Sequence, residues 1–206
     1  MAGLIDKAVI VNWALTDLGL PPSFTLDTAD EVGRTVDLVW QRVVDRTFGL
    51  HDWTFCRKTF LLSRQSAMPV TGYKFAFDLP GGTLGEPLRY WRDARCSQPV
   101  RDFQLEAAEV HSNEATLYAR AKVYVEPESW EPGFRQCFTT ALASALAVPL
   151  TQDSDTAADL HGAAFGSPAQ QGSGGAFGRL IAQNRAADPP DSPIRRGDPL
   201  VDARWS

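Results

Sequence analysis

The chain has 206 residues, 44% of them hydrophobic and 22% charged, with a formal net charge of -5. That balance suits one globular domain with a tail, and it supplies no basic field with which to hold nucleic acid by its phosphates. Cys56, Cys96 and Cys137 are odd in number and widely spaced, which argues against a paired zinc or redox motif and predicts free thiols in a reducing compartment.

From the N-terminus, Leu4, Ile5, Ala8, Val9, Val11, Asn12, Trp13, Leu15 and Leu18 place apolar side chains mainly on one helical face, and Gly19-Leu20-Pro21-Pro22 stops the helix. Asp6, Lys7, Asn12 and Asp17 interrupt this stretch, so it lacks the unbroken apolar run of a signal peptide. A second helix starts near Asp27 or Thr28, the candidate N-caps, and carries Val32, Val36, Val39, Trp40, Val43 and Val44 on one stripe to about Phe48.

The period then changes. Phe55, Arg57, Thr59 and Leu61 alternate with Cys56, Lys58, Phe60 and Leu62, which predicts a strand. "GYKFAFDLPGG" predicts a second, with Tyr73, Phe75 and Phe77 on one side. "DFQLEAAEVHS" and "ATLYARAKVYVEP" read as an antiparallel pair around a turn at Ser112 to Glu114, closed by Pro127. Trp40, Trp53, Phe55, Phe60, Tyr73, Phe75 and Phe77 are expected as core where the sheet meets the helices.

Ser129 is the candidate cap of the next helix, with Pro132 in its first turn. Between Arg135 and Asp153 this helix has no charged side chain. Phe134, Cys137, Phe138, Ala141, Leu142, Ala145, Leu146 and Val148 cover more than a narrow stripe, so it should be buried on most sides, central to a bundle with the first two helices. The run from Gln136 to Gln152 is shorter than the ~20 apolar residues that span a bilayer, so a soluble cytoplasmic product without membrane contact is expected. "DTAADLHGAAF" and "AFGRLIAQNRAAD" read as helices, and "GSPAQQGSGG" between them would break or fray a continuous helix, with "GSGGAFG" near Gly172 expected as a flexible linker. The Pro-rich end is expected as a tail whose Trp205 has no local core, and insertion into another chain is one explanation for it.

Chemistry-bearing motifs are lacking. His51, His111 and His161 show no metal-ligand spacing, "HDW" has no nucleophile-elbow serine, and the glycines near Gly172 follow no strand as a dinucleotide loop would. No phosphate-binding loop and no paired carboxylates can be nominated, so no catalytic residue, metal ligand or cofactor is expected.

In order along the chain stand Asp52-Trp53-Thr54-Phe55, Pro69 with Gly72-Tyr73-Lys74-Phe75-Ala76-Phe77-Asp78-Leu79-Pro80, then Trp130, Pro132 and Phe134. Pro149-Leu150-Thr151, Ala186-Ala187-Asp188 and Val201-Asp202-Ala203-Arg204-Trp205 follow. This ordered set, covering nearly the whole chain, resembles the head-tail connector adaptors of tailed bacteriophages, the tail tubular protein A group and related tail accessory factors. Two departures stand out: the breakers between Gly162 and Gly175, including Pro168, and the lack of a turn glycine near His111.

The resemblance implies an α+β, mainly α protein: one adaptor domain at 1–187, with a helical bundle and a β insertion at about 55–126, and an extended docking tail at 188–206. It implies a non-enzymatic virion protein at the head-tail interface, assembled in the bacterial host cytoplasm, that forms a ring with copies of itself, usually a dodecamer. The partners would be the portal protein and the next tail or neck protein, with DNA passing through the channel without sequence-specific binding. Ile194, Leu200, Val201, Arg204 and Trp205 would dock on the portal, and Phe134, Phe138, Leu142 and Leu146 would serve subunit or bundle packing. The competing readings are another neck protein, such as a stopper or tail terminator, and a small soluble enzyme with a scattered site.

Overall fold

The computed structural model describes residues 5–26, 31–170 and 174–187. Asp6 opens helix α1 (Lys7–Asp17): its carboxylate accepts from the Val9 amide at 2.9 Å, satisfying one of the donors that a helix start leaves unpaired. Ile10, Val11, Ala14 and Leu15 turn inward. Asn12 then fixes the chain beyond the helix, since its amide both donates to the Phe24 carbonyl and accepts from the Phe24 N–H, each at 3.0 Å. Helix α2 (Glu31–Gly49) buries Val36, Val39, Trp40, Val43, Val44 and Phe48 on the expected stripe. Its candidate caps, Asp27 and Thr28, lie outside the described residues.

After a 3-10 turn at Thr54–Cys56 come eight described strands: β1 (Arg57–Leu61), β2 (Ser63–Arg64), β3 (Phe75–Asp78), β4 (Arg89–Trp91), β5 (Pro99–Val100), β6 (Phe103–Glu106), β7 (Glu109–Ser112) and β8 (Tyr118–Lys122). They form two antiparallel sheets, ordered β1-β8-β4-β5 and β2-β3-β7-β6. The chain changes sheet at Leu62, and Leu62 N–H donates to the Leu117 carbonyl at 2.9 Å. Leu62, Phe77, Tyr90, Val100, Val110, Leu117 and Ala119, drawn from both sheets, share a hydrophobic core of their own.

Two sequence expectations fail here. The hairpin is not formed across Ser112 to Glu114; β6 pairs with β7 around Ala107 and Ala108, while β8 pairs with β1 and β4. Both alanines have positive φ, 48° and 67°, the backbone a tight two-residue hairpin turn requires and for which Asn-Gly is the usual signal. Nor do the aromatics form one core between sheet and helices. Trp40, Trp53 and Phe55 belong to the helical core, whereas Phe60, Phe75 and Phe77 belong to the β core; Tyr73 donates its hydroxyl to exposed Asp102 at 3.0 Å.

Helix α3 (Pro132–Thr151) begins with Pro132 at its first position. Ser129 does not cap it; Ser129 ends a 3-10 turn (Pro127–Ser129), and Glu131 stands at the cap without a side-chain bond. The reason is Trp130, whose ring is buried and whose Nε1–H donates to the Val125 carbonyl at 2.7 Å, so the helix starts only after this anchor. Helix α3 contacts α1, α2, α4 (Ser154–Phe165) and α5 (Gly175–Ala187), which explains its lack of charge: the helices around it leave little of it in water. Each fully buried Phe or Leu on it contributes about 1.5–3 kcal/mol of transfer free energy. The result is an α+β, mainly α fold, with five described helices and a β part inserted between α2 and α3.

Gln152, in the left-handed region at φ 56°, ends α3, and Asp153 starts α4 by accepting from the Asp155 and Thr156 amides at 3.0 and 2.9 Å. The expected break between α4 and α5 is present; Gly172, at the centre of the expected linker, lies outside the described residues, and Gly166, Gly174 and Gly175 on either side are closely packed. A Cβ on Gly175 would lie 2.6 Å from the Ala163 carbonyl oxygen and 2.7 Å from that of Ala164, and its φ is +58°. Glycine there lets the two helix ends cross backbone to backbone, so that Phe177 stacks on Phe165 with ring centres 5.2 Å apart.

Candidate functional site

Three places gather polar or apolar groups beyond what the cores need. In the first, the β2–β3 loop is clamped to the second sheet. Thr71 Oγ1 pairs with His111 Nδ1 at 2.9 Å, and His111 Nε2 pairs with Glu109 Oε2 at 3.2 Å. Gln65 Nε2 donates to Glu109 at 2.9 Å and to Asp78 at 2.8 Å. The Glu109 carboxyl is held below its usual range by the Gln65 and His111 hydrogen bonds. The order hydroxyl, imidazole, carboxylate resembles that of a nucleophilic triad, but its bonds tie both ends of one loop to β3 and β7. Sequence reading could not find it, because Thr71 and His111 are 40 residues apart.

The second place is an open groove of about 670 Å³ between α2, α3 and α4. Its floor exists because α3 and α4 face each other there through small side chains, Ala141, Ser144 and Ala145 against Ala157 and Ala158, with Ser144 Oγ donating to the Ala157 carbonyl at 3.0 Å. Arg42, Arg46 and His161 are its titratable lining side chains. The Arg46 guanidinium lies 3.9 Å from the centre of the Phe165 ring, a cation–π contact. Burial first, and then the Arg46 charge, push the His161 pKa down. Val148, 51% exposed, continues the apolar surface at the end of α3.

The third is where α5 meets the segment after α2. Asn184 Nδ2 donates to Thr54 Oγ1 at 3.1 Å, and Trp53 Nε1–H donates to the Thr47 carbonyl at 2.9 Å. The Asn184 side chain lies beside His51, yet His51 Nε2 and Asn184 Oδ1, both buried, complete no well-formed hydrogen bond. Desolvation is the main cause that lowers the His51 pKa. A neighbouring hollow of about 480 Å³, lined by Phe55, Trp130, Asn184 and Ala187, lies where the described chain ends.

Phe134, Phe138, Leu142 and Leu146, expected in subunit or bundle packing, are all wholly buried inside the protomer. They therefore offer no surface to a neighbour. Ile194, Leu200, Val201, Arg204 and Trp205 lie outside the described residues. Among the described residues no group of three or more His, Cys, Asp or Glu side chains could hold a metal ion, and no helix is long and apolar enough to cross a membrane. The thiols of Cys56 and Cys137 are buried; burial pushes the Cys56 pKa up to about 11 and raises that of Cys137.

Single exposed apolar side chains are ordinary on a protein surface, whereas two on one loop stand out. Met68 and Val70 stand together on the clamped β2–β3 loop, Met68 76% exposed and Val70 entirely so. Comparison of the sequence with protein-family models and with curated proteins finds no match.

Proposed function

We infer that the chain is a phage virion structural protein, the head-to-tail connector adaptor. In this role copies form a ring, a dodecamer in the family the sequence resembles, between the portal and the next tail or neck protein, and DNA passes through the channel without sequence-specific binding. The protein would work by binding and not by catalysis, at the head-tail interface of the virion, after assembly in the bacterial host cytoplasm.

The observation that carries this reading is the ordered motif set. Supporting it are a bundle built around α3, a β part inserted between α2 and α3, and residues 188–206 following α5. In that frame Asp52-Trp53-Thr54-Phe55 has a structural task. Trp53 and Phe55 enter the helical core, Thr54 receives α5, and Asp52 accepts from Arg57 Nε at 2.9 Å, so the motif fixes the junction between bundle and β part.

The test mixes the purified protein with the portal protein from the same genome, separates complexes by sedimentation and images them by electron microscopy. A ring stacked under the portal is expected, and truncation of Asp188 to Ser206 should weaken portal binding while the helical circular dichroism is retained. Portal and protein that stay apart at micromolar concentration would remove the main physical claim of the adaptor. Portal binding unchanged by the truncation would remove the docking role of the tail.

A further inference from the structure

We propose that the Met68-Pro69-Val70 tip of one protomer seats in the α2/α3/α4 groove of the next copy of this chain. The proposal rests on the ring-forming reading above and names its subunit contact.

The tip is presented and not collapsed. Its loop is anchored at both ends by Gln65, Thr71, His111 and Glu109, and Lys74 N–H donates to Asn113 Oδ1 at 3.2 Å. A loop already held in place loses little freedom on binding, so its apolar side chains can contribute most of their burial to association. The groove, at about 670 Å³, falls within the roughly 300–1,000 Å³ range of cavities that take up small apolar groups. Val43, Ala145, Val148 and Phe165 give it apolar walls.

The charges agree in sign. The hollow beneath the tip is lined by Glu106 and by Glu109, which pairs with His111, and Lys74 lies further along the loop, whereas the groove carries Arg42 and Arg46. An apolar tip with Glu106 beside it would meet an apolar groove rimmed by Arg42 and Arg46, which favours this register over groove-to-groove pairing of like charges. Tip and groove are also built from different parts of the chain, one from the β2–β3 loop and the other from three helices. Joining them between copies is therefore a heterologous contact, the kind that generates a ring when its rotation closes. A stable interface covers about 1,000 Å² or more, so the tip acts as the anchor of a wider contact.

The test uses the full chain with Cys96→Ser, which removes the half-buried native thiol. Val70→Cys and Val148→Cys are made separately on that background, combined with and without the portal protein, and oxidised with copper phenanthroline. A disulfide needs Cα atoms within about 7 Å, so only direct seating joins them. Cross-linked dimer at least tenfold above either variant alone is expected in the mixture, and a ladder of multimers is expected from a chain carrying both cysteines. If rings form on the portal but the mixture cross-links no better than the single variants, the contact is wrong and the adaptor reading stands. If the mixture cross-links but no ring forms with the portal, the contact holds and the adaptor reading fails. Neither ring nor cross-link overturns both. Val70→Lys, which alters only an exposed side chain and sets a cation against Arg42 and Arg46, should keep the circular dichroism of the parent and lose the ring.

Discussion

Phe134 is the place to test how the bundle and its β insertion are held together. Its ring is fully buried and lies within 4.9 Å of Phe55, 5.1 Å of Trp53, 5.3 Å of Phe48 and of Trp130, and 5.9 Å of Phe177, measured between ring centres. Those partners come from α2, the junction segment, the approach to α3, and α5, so one side chain spans most of the fold. Phe134→Ala removes its burial and leaves a cavity that rigid aromatic neighbours cannot fill, a loss of about 3–5 kcal/mol. Domains hold only about 5–15 kcal/mol in total, so the variant should fold but sit near its margin. At roughly 2–4 °C per kcal/mol for a chain of this size, the midpoint of thermal unfolding should fall by about 6–20 °C. Urea unfolding followed by tryptophan fluorescence and by far-ultraviolet circular dichroism should show a lower midpoint with an unchanged slope. A loss below about 1 kcal/mol would refute the hub assignment, because no buried Phe at such a junction should be that cheap to remove.

Gly175→Ala should destabilise the α4–α5 crossing, since its Cβ meets two carbonyl oxygens and the residue must keep a positive φ; the left-handed conformation alone costs about 1–2 kcal/mol. A variant as stable as the parent in thermal unfolding would show that the crossing is loose. Thiol labelling of the folded protein should modify Cys96 first, with Cys56 and Cys137 reacting only on denaturation, because burial protects both and disfavours their thiolates. Equal rates at all three would contradict that burial. Acid should weaken the fold through His51 and His161, whose folded pKa values are lowered. The unfolded imidazoles take up protons near about pH 6.5, so their contribution is complete above that pH and is lost as pH falls toward the lower folded values. Unfolding midpoints measured between neutral and mildly acidic pH should fall less in a His51→Gln, His161→Gln variant than in the parent, and identical slopes would sink the assignment.

The helices were legible because their signals are local. The caps Asp6 and Asp153 emerged only with the structure, but Val36, Val39, Trp40, Val43 and Val44 recur at helical spacing, Pro132 stands where a missing amide costs little, and the absence of charge from Gln136 to Gln152 marks a helix surrounded by others. Each depends on contacts within a turn or two, or on how much of a helix must avoid water, and both can be read from neighbouring residues. The failed cap at Ser129 marks the limit of that method, because the buried Trp130 decided where α3 begins.

What joins distant residues was left to the tertiary structure. Ala107-Ala108 gives no turn signal, yet the cross-strand bonds of β6 and β7 hold both alanines at positive φ, and that pairing sends β8 to the other sheet. The β2–β3 loop clamp joins Thr71 to His111, and the groove forms where small residues of α3 and α4 leave space beside Arg42 and Arg46 of α2. Residue order alone was enough for the five described helices, for their boundaries to within a few residues and for the burial of α3, since periodicity acts over short distances. Strand pairing, the two separate cores and the position of the groove had to wait for the folded chain, because register and cavities depend on which surfaces meet and on the side-chain volume left between them.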